Sequence, residues 1–339
     1  MARHRATEKE SRHKSSLASA AVEYQETRAV AASPAGLTVR PIRRPEIDAA
    51  LPSLFEDDAL APRQVLQQVK SFQKLARQED YDLMRQMVVA SDHGVLQACC
   101  FIPNPGKTAF IFTSCPQAEA TGLNEMSVSM LNRLVQWALQ EGNKLLQVVI
   151  SPDDDARRNL CLQCGFSPLT DLIYFYHHGR PSPLVLALPD GLRWQSYDAA
   201  SHELFKSVIA RTYQDSLDCP ELESIRDMED VIACHKAAGA FVPRWWKVLF
   251  LNDQPVGALI LSPLKNNPSM DLTYMGLCPE ARGRGLGNIL LSEAFQCARQ
   301  CRCQGVTLAV DSRNHPAYRL YERFGFTEIF RRSVLLQTA

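Results

Sequence analysis

Between Pro279 and Asn288 the chain reads Pro-Glu-Ala-Arg-Gly-Arg-Gly-Leu-Gly-Asn. Gly283, Gly285 and Gly287 strip the backbone of Cβ atoms, Arg282 and Arg284 add positive charge, and the apolar periodicity beyond predicts a helix starting there. That combination suits a diphosphate. Glycine permits positive φ and close approach of the main chain to a ligand. The free N–H groups of a helix's first turn point at an anion, backed by roughly half a positive charge from the helix dipole. The spacing R-x-x-G-x-G differs from the G-x-G-x-x-G of dinucleotide turns and lacks the Gly-Lys-Ser/Thr of a P-loop.

A second block follows at Asn314-His-Pro-Ala-Tyr-Arg-Leu-Tyr-Glu-Arg-Phe-Gly-Phe326. It reads as a short capped helix, with Asn314 as N-cap and Pro316 in the first turn, where a missing N–H costs nothing. Ala317, Leu320, Tyr321 and Phe324 share one face. Gly325 ends the helix as a C′ residue, and Phe326 opens a final strand from Thr327 to Leu336. Taken alone, this is an aromatic stripe packed into a core. A strand over Val306–Val310 separates the two blocks.

The order R-x-x-G-x-G, strand, N-x-x-A-x-x-L-Y-x-x-x-G-F resembles the GCN5-related N-acetyltransferase (GNAT) superfamily, and every defined position of the second signature is filled. The resemblance implies that acetyl-CoA is the cosubstrate and that its pantetheine arm lies in a splayed gap between strands Asp271–Leu277 and Val306–Asp311. The main chain of Met275, Gly276 and Leu277 would hold the arm, an N–H near Leu277 the thioester oxygen. Arg282, Gly283, Arg284, Gly285, Leu286, Gly287 and Asn288 would take the pyrophosphate. Asn314 would hydrogen-bond the arm, and Tyr321 would act as general acid for the departing thiolate. A phenol of ordinary pKa near 10 suits that donation. Gly276 in mid-strand fits a bulge that opens the gap.

The base that deprotonates an incoming ammonium carries a weaker signal. Where protein N-terminal acetyltransferases of the superfamily usually place a Glu, in a pattern like L-E-V-R, this chain reads Leu308-Ala309-Val310-Asp311. Ala309 therefore counts against that substrate class. The acidic stretch Asp215 to Glu223 supplies the candidates, with Glu221 chosen as base, while His235 reads as core or surface. Cys278 and Cys219 have no evident His partner, so direct attack by the amine is preferred to an acyl-enzyme. Cys161-Leu-Gln-Cys164 has metal spacing without a second ligand pair, and no metal is expected. Trp245-Trp246 reads as an anchor of the sheet, with lining of the acceptor pocket as the alternative.

The elements that must position these groups occur twice, about 160 residues apart: strand, helix, meander, long helix, strand, short helix, Gly-Phe. In the first pass the strands are Leu37–Ile42, Met87–Ala90, Val95–Ile102, Thr108–Ser114 and Lys144–Ile150, with a long helix over Met126–Leu139. In the second they are Leu192–Tyr197, Trp246–Leu251, Pro255–Leu261 and Asp271–Leu277, after a helix over Ala199–Tyr213. Aligned on Gly165-Phe166 and Gly325-Phe326, Cys161 falls at Tyr321, Arg157 at Ala317 and Asp154 at Asn314. The first half has no R-x-x-G-x-G ahead of its long helix, so it lacks both the phosphate cradle and the acid. The expected fold is an α/β (α+β) mixed-sheet protein of two tandem GNAT-like domains, the N-terminal one degenerate and shaping the site of the other. The arrangement resembles mycothiol-synthase-like acyltransferases. The boundaries are a disordered tail over 1–36, a degenerate domain over 37–180, a linker over 181–190 and a catalytic domain over 191–339.

The chain has 339 residues and 46% hydrophobic content, enough for two cores. Lys+Arg and Asp+Glu balance at 37 each, so no global field favours nucleic acid or an acidic membrane. No apolar run approaches the roughly 18 residues of a membrane span. The 11 cysteines are scattered and no signal sequence is evident, which suggests reduced thiols and a cytoplasmic setting. The resulting expectation is an N-acetyltransferase acting on a primary amine of a small molecule. The alternatives are a coenzyme A sensor without turnover, or a protein lysine or N-terminal acetyltransferase. Acceptor identity and oligomeric state stay open.

Overall fold

A computed structural model describes residues 36–56, 61–116, 122–178, 188–223, 225–265 and 267–339. The expected tail and most of the expected linker lie outside these residues. The described chain forms two compact units, one of 36–102 with 112–137 and one of 103–111 with 138–339. Its elements run β1 (Thr38–Pro41), α1 (Ile47–Phe55), α2 (Pro62–Gln78), β2 (Gln86–Ser91), β3 (Gly94–Asn104), β4 (Thr108–Thr113), α3 (Leu123–Gln140), β5 (Leu145–Ile150), α4 (Asp155–Gln163) and β6 (Ser167–His178). They continue with β7 (Leu192–Ser196), α5 (His202–Tyr213), α6 (Met228–Ala237), β8 (Trp246–Leu251), β9 (Gln254–Pro263), β10 (Ser269–Leu277), α7 (Leu286–Gln300), β11 (Gly305–Asp311), α8 (His315–Arg323) and β12 (Thr327–Thr338).

In the first unit, β1, β2 and β3 form an antiparallel run in which Val39 opposes Val89 and Val88 opposes Ala98. Helices α1 and α2 bury Leu51, Leu54, Val69 and Phe72 against Val88, Ala98 and Cys100. A trio of rings, Phe55, Phe72 and Phe112, closes that core at centroid separations of 5.2 to 5.9 Å. Such tilted contacts add to the area they remove from water.

In the second unit the strand order is β4-β5-β12-β6-β11-β10-β9-β8-β7. Here the repeat has a consequence. β6 follows α4 in the chain, yet it pairs with β11, Leu308 opposite Phe175 and Asp311 opposite Leu172. β12 follows α8, yet it pairs with β5, Val334 opposite Val149, and with β6 on its other edge. Each repeat thus sends its last strand to the other's fifth strand. Thr170 Oγ1 donates to Asp311 across this seam at 2.7 Å, and Ser333 donates to the Asp171 carboxylate. The duplication also persists in local geometry. Asp154 accepts from the Arg157 N–H and Asn314 from the Ala317 N–H, while Gly165 and Gly325 end their helices with φ of +87° and +82°.

The core of the second unit packs α7 and α8 on β9, β10 and β11, through Leu290, Leu291, Ala294, Val306, Leu308, Leu320 and Phe326. Cys297 and Cys303 sit in it as small hydrophobes. On the sheet's other face, α5 and α6 bury Phe205, Val208, Val231 and Ile232 against Trp246, Val248 and Ile260. Trp245 and Trp246 are both buried, and Trp246 packs at 5.0 Å from Phe241 and 5.5 Å from Tyr197. No helix among the described residues is long and apolar enough to cross a membrane.

Candidate active site in the second unit

Strands β10 and β11 run parallel but pair over only three positions, Ser269 with Gly305, Met270 with Val306 and Asp271 with Thr307. Thr307 Oγ1 donates to Asp271 at 2.9 Å at the point where they part. Beyond it β10 stays paired to β9 and β11 to β6, so a wedge opens between them. The Cys278 N–H faces β9, where it donates to Val256 at 2.9 Å. Because successive N–H groups alternate sides along a strand, those of Met275 and Leu277 face the wedge. An extended ligand can add to that edge as a strand would.

The bulge on β10 lies at Thr273, between Leu272 and Tyr274, three residues before the expected Gly276. Gly276 itself pairs regularly with Ala258. Its lack of a side chain answers a different need. A Cβ there would stand 2.5 Å from Tyr274 Oη and 2.8 Å from Thr212 Cβ. Those two side chains hydrogen-bond each other at 2.6 Å, tying α5 to β10 beneath the wedge.

From the wide end of the wedge the chain passes through a short turn, Pro279–Ala281, into the glycine loop and α7. Gly283 and Gly285 adopt φ of +71° and +78°, a region in which an L side chain is strained. Gly285 is the N-cap of α7, and its carbonyl accepts from both the main chain and the side chain of Asn288, at 3.0 and 3.1 Å. Among the described residues, no acceptor reaches the main-chain N–H groups of Gly283 through Gly287. A Cβ on Gly283 would meet nothing within 4 Å. Gly287 has ordinary φ and serves close packing, since a Cβ there would come within 3.1 Å of Leu320 on α8. The loop thus offers unpaired donors around open space, which is what a diphosphate needs.

The two arginines of this loop part company. Arg284 is exposed and unpaired among the described residues. Arg282 is turned away. Its guanidinium donates to the carbonyls of Leu277, Thr212, Asp215 and Gln214 at 2.6 to 3.0 Å, and its own N–H donates to Pro279. Arg282 therefore satisfies the orphan carbonyls at the end of α5 and fixes the loop beyond it. It does not add the flanking phosphate charge expected from sequence.

That loop, 214–223, carries the acidic stretch and is strained at two non-glycine residues, Asp215 (φ +51°) and Cys219 (φ +47°). Asp311, fully buried at the end of β11, holds it. The Asp311 N–H donates to Asp218 at 2.9 Å, and the Cys219 N–H donates back to the Asp311 carboxylate at 3.0 Å. Burial alone would raise the Asp311 pKa. Hydrogen bonds from the Arg313 side chain, Thr170, and the N–H groups of Arg313 and Cys219 override that and hold it at about 2.

Arg313 also takes Glu221, with two bonds of 2.6 and 3.0 Å. This exposed pairing lowers the Glu221 pKa. A carboxylate so stabilised is a weak proton acceptor. Asp218 differs. Its residue surface is exposed, but protein atoms crowd its carboxylate: desolvation raises its pKa, and the Asp311 carboxylate adds to the rise against the Asp311 N–H and Arg313.

Tyr321 stands where the second signature predicts, on the buried face of α8, with its ring 6.1 Å from Phe175 and 5.8 Å from Phe326. Burial, and secondarily the Asp218 charge, push its phenol well above the ordinary value. The same Asp218 charge bears on Tyr213 and Tyr274. Tyr321, Asp218, Tyr213 and Tyr274 thus share one electrostatic neighbourhood beside the wedge. Burial also raises the Cys219 and Cys278 thiols, which removes both as thiolate nucleophiles.

A final group approaches from the first repeat. At the tip joining β3 and β4, Gly106 (φ +85°) lies so close to α6 that a Cβ would stand 2.1 Å from the Asp230 carbonyl. Lys107 pairs with Asp230 at 3.3 Å, and the Pro105 carbonyl accepts from Cys234 Sγ at 2.9 Å. His235, read from sequence as core or surface, is half-buried at the core's edge, with its Nε2 buried. Its ring packs 5.3 Å from Tyr274, and burial together with the Arg226 charge lowers its pKa to about 3.

Comparison with known proteins agrees with this geometry. Residues 209–326 match the model of the "Acetyltransferase (GNAT) family". A mycothiol acetyltransferase of Thermomonospora curvata is 32% identical over 153 residues, which cover 44% of this chain and 48% of that protein, so the match spans about half the relative's length. A GCN5-related N-acetyltransferase from Sphaerobacter thermophilus superposes over 90% of this chain and 96% of its own, with a TM-score of 0.58 at 15% identity. The GCN5-related glucosamine N-acetyltransferase region of a fungal multi-domain GH3 β-N-acetylglucosaminidase gives 0.56 over 90% of this chain and 38% of that one, at 14% identity. The fold is thus that of GCN5-related N-acetyltransferases across both repeats, and the stretch that matches the acetyltransferase (GNAT) family model, residues 209–326, is the one that carries the wedge, glycine loop and capped helix.

Proposed function

We propose that the protein transfers an acetyl group from acetyl-CoA to a primary amine of a small molecule by direct attack. The observation that carries this is the pairing of the β10–β11 wedge with unpaired N–H groups over Gly283–Gly287. The two fit one ligand, an extended arm joined to a diphosphate. Met275 and Leu277 would hold the arm, Gly283 through Asn288 the diphosphate, and the Asn314 amide, whose Oδ1 caps α8, keeps its NH2 for the arm. The thioester supplies the activated acetyl group.

The chain's own residues then divide the proton work. Asp218, with its raised pKa beside the wedge, takes the proton from the incoming ammonium, directly or through a water. Glu221, the carboxylate chosen from sequence, is held by Arg313 and serves to fix the loop. The Leu277 N–H faces the position where negative charge develops. Tyr321 keeps its proton at neutral pH and gives it to the leaving sulfur. The relative named mycothiol acetyltransferase supports a small-molecule acceptor, and Ala309 leaves no carboxylate at the place where N-terminal acetyltransferases carry one. The test is thiol release from acetyl-CoA across a panel of amines, wild type against Tyr321→Phe. Amine-dependent release in wild type, lowered in the variant, is expected. Tight coenzyme binding without release with any amine would instead mark a sensor.

A further inference from the structure

Two buried polar atoms of the second unit have no hydrogen-bond partner among the described residues: Nε of Arg226 and Nε2 of His235. Buried groups of this kind are nearly always satisfied, and each exception calls for an explanation. They are neighbours, since the Arg226 charge acts on His235. A chain of aromatic contacts links them to the side of the sheet where Asp218 acts. The His235 ring packs on Tyr274, Tyr274 lies 5.6 Å from Tyr213, and Tyr213 is within electrostatic reach of both Arg226 and Asp218.

Arg226 forms no ion pair among the described residues; its one hydrogen bond runs from Nη2 to Cys234 Sγ at 2.8 Å. A half-buried guanidinium without a carboxylate is costly to maintain. The structure nevertheless holds it in place. Cys234 accepts from Arg226 and donates to the Pro105 carbonyl, so the hairpin tip of the first repeat fixes the thiol that fixes the arginine. Gly106 permits that close approach.

We propose that Arg226 and His235 form an anion subsite, and that the acyl acceptor is an amine carrying a second, anionic group, a carboxylate or a phosphate. This rests on the transferase reading above for the word acceptor, while the subsite itself rests on the two unpartnered atoms. Arg226 supplies the charge and a planar fork of donors, the geometry that suits both oxyanions. His235, kept neutral, donates through Nε2–H in the tautomer that an anion favours. The acceptor's amine then lies toward Asp218 and its anionic end toward α6.

The test uses the full chain saturated with coenzyme A. Calorimetry compares N-acetylated amino acids with their amides, and O-phosphoethanolamine with ethanolamine; the parent amino acids and amino-acid amides with free amines, O-phosphoethanolamine and ethanolamine serve as acceptors in the acetyl-CoA assay. The expected result is at least tenfold preference for one anionic set over its neutral partner. Arg226→Gln erases that preference, Arg226→Lys restores part of it, and coenzyme affinity stays unchanged in both. Preference for the acids alone assigns a carboxylate, and preference for the phosphate alone assigns a phosphate. Equal binding of charged and neutral compounds, or a preference that Arg226→Gln leaves intact, overturns the subsite. Selective binding of anions without thiol release with any amine keeps the subsite and defeats the transferase reading.

Discussion

Asp218 and Asp311 hold each other through the main chain: the Asp311 N–H donates to the Asp218 carboxylate at 2.9 Å, and the Asp311 carboxylate accepts from the N–H of Cys219, the residue after Asp218. One carboxyl is driven down to about 2 and the other is raised. Two acids of one residue type thus receive opposite tasks from their surroundings. Asp311 is an anion that shapes a loop, and Asp218 is the proton acceptor in the mechanism proposed above.

The first consequence concerns activity. Asp218→Asn keeps the hydrogen bond from Asp311 but cannot accept the amine's proton, so kcat/KM should fall by about 10²- to 10⁴-fold. A base works only when deprotonated. With the Asp218 pKa raised, the acid limb of kcat/KM should lie above the usual aspartate range near 4. A variant within threefold of wild type would assign the base elsewhere.

The second concerns stability. The Asp311 pKa is about 2 in the folded chain against an ordinary 3.8. A depressed carboxyl stabilises the fold above its unfolded pKa, and that contribution is lost as pH falls through the folded value. Stability should therefore decline between about pH 4 and pH 2. Asp311→Ala, which strips the Cys219 N–H of its acceptor, removes the carboxylate that Thr170 donates to and leaves Arg313 with Glu221 alone, should cost about 3 kcal/mol by chemical denaturation at pH 7 and should flatten that acid limb.

Tyr321→Phe retains the ring packed on Phe175 and Phe326, so the melting temperature should hold while kcat drops by about 10²-fold. The phenol's pKa is raised, so the acid form persists above the ordinary value near 10. The basic limb of the wild-type kcat profile should accordingly show no titration below pH 10. An unchanged kcat in the variant would reduce Tyr321 to packing.

Strand exchange makes a prediction of its own. Residues 191–339 alone lack β6, so β11 loses its partner from Gly305 to Asp311 and β12 loses partners on both edges. That fragment should show no cooperative unfolding transition. A monomeric fragment with a sharp melt would mean that β12 can fold back onto β11 by itself.

Legibility in the sequence followed the range of the interactions involved. The glycine loop and the Asn314 cap depend on backbone needs met within a few residues, and both stand where they were read, Gly283 and Gly285 at positive φ and Asn314 on the Ala317 N–H. β6 went unread although Leu169, Ile173 and Phe175 alternate inward along it. Its partners lie on the other repeat, and nothing local announces an exchange. The choice between Asp218 and Glu221 was equally out of reach, because it turns on which carboxylate Arg313 captures. Arg282 has the charge of a phosphate ligand, and only the spent carbonyls at the end of α5 reveal its other use.

The most direct test is calorimetric titration of the full chain with coenzyme A, wild type beside Gly283→Ala. Position 283 has open space around it, so the substitution costs only left-handed backbone strain of about 1–2 kcal/mol in folding, while its methyl group enters the space proposed for the diphosphate. One site per chain, weakened at least tenfold in the variant, is the predicted result. No heat in wild type, or equal affinity in both, would contradict the assignment of the glycine loop and the mechanism built on it.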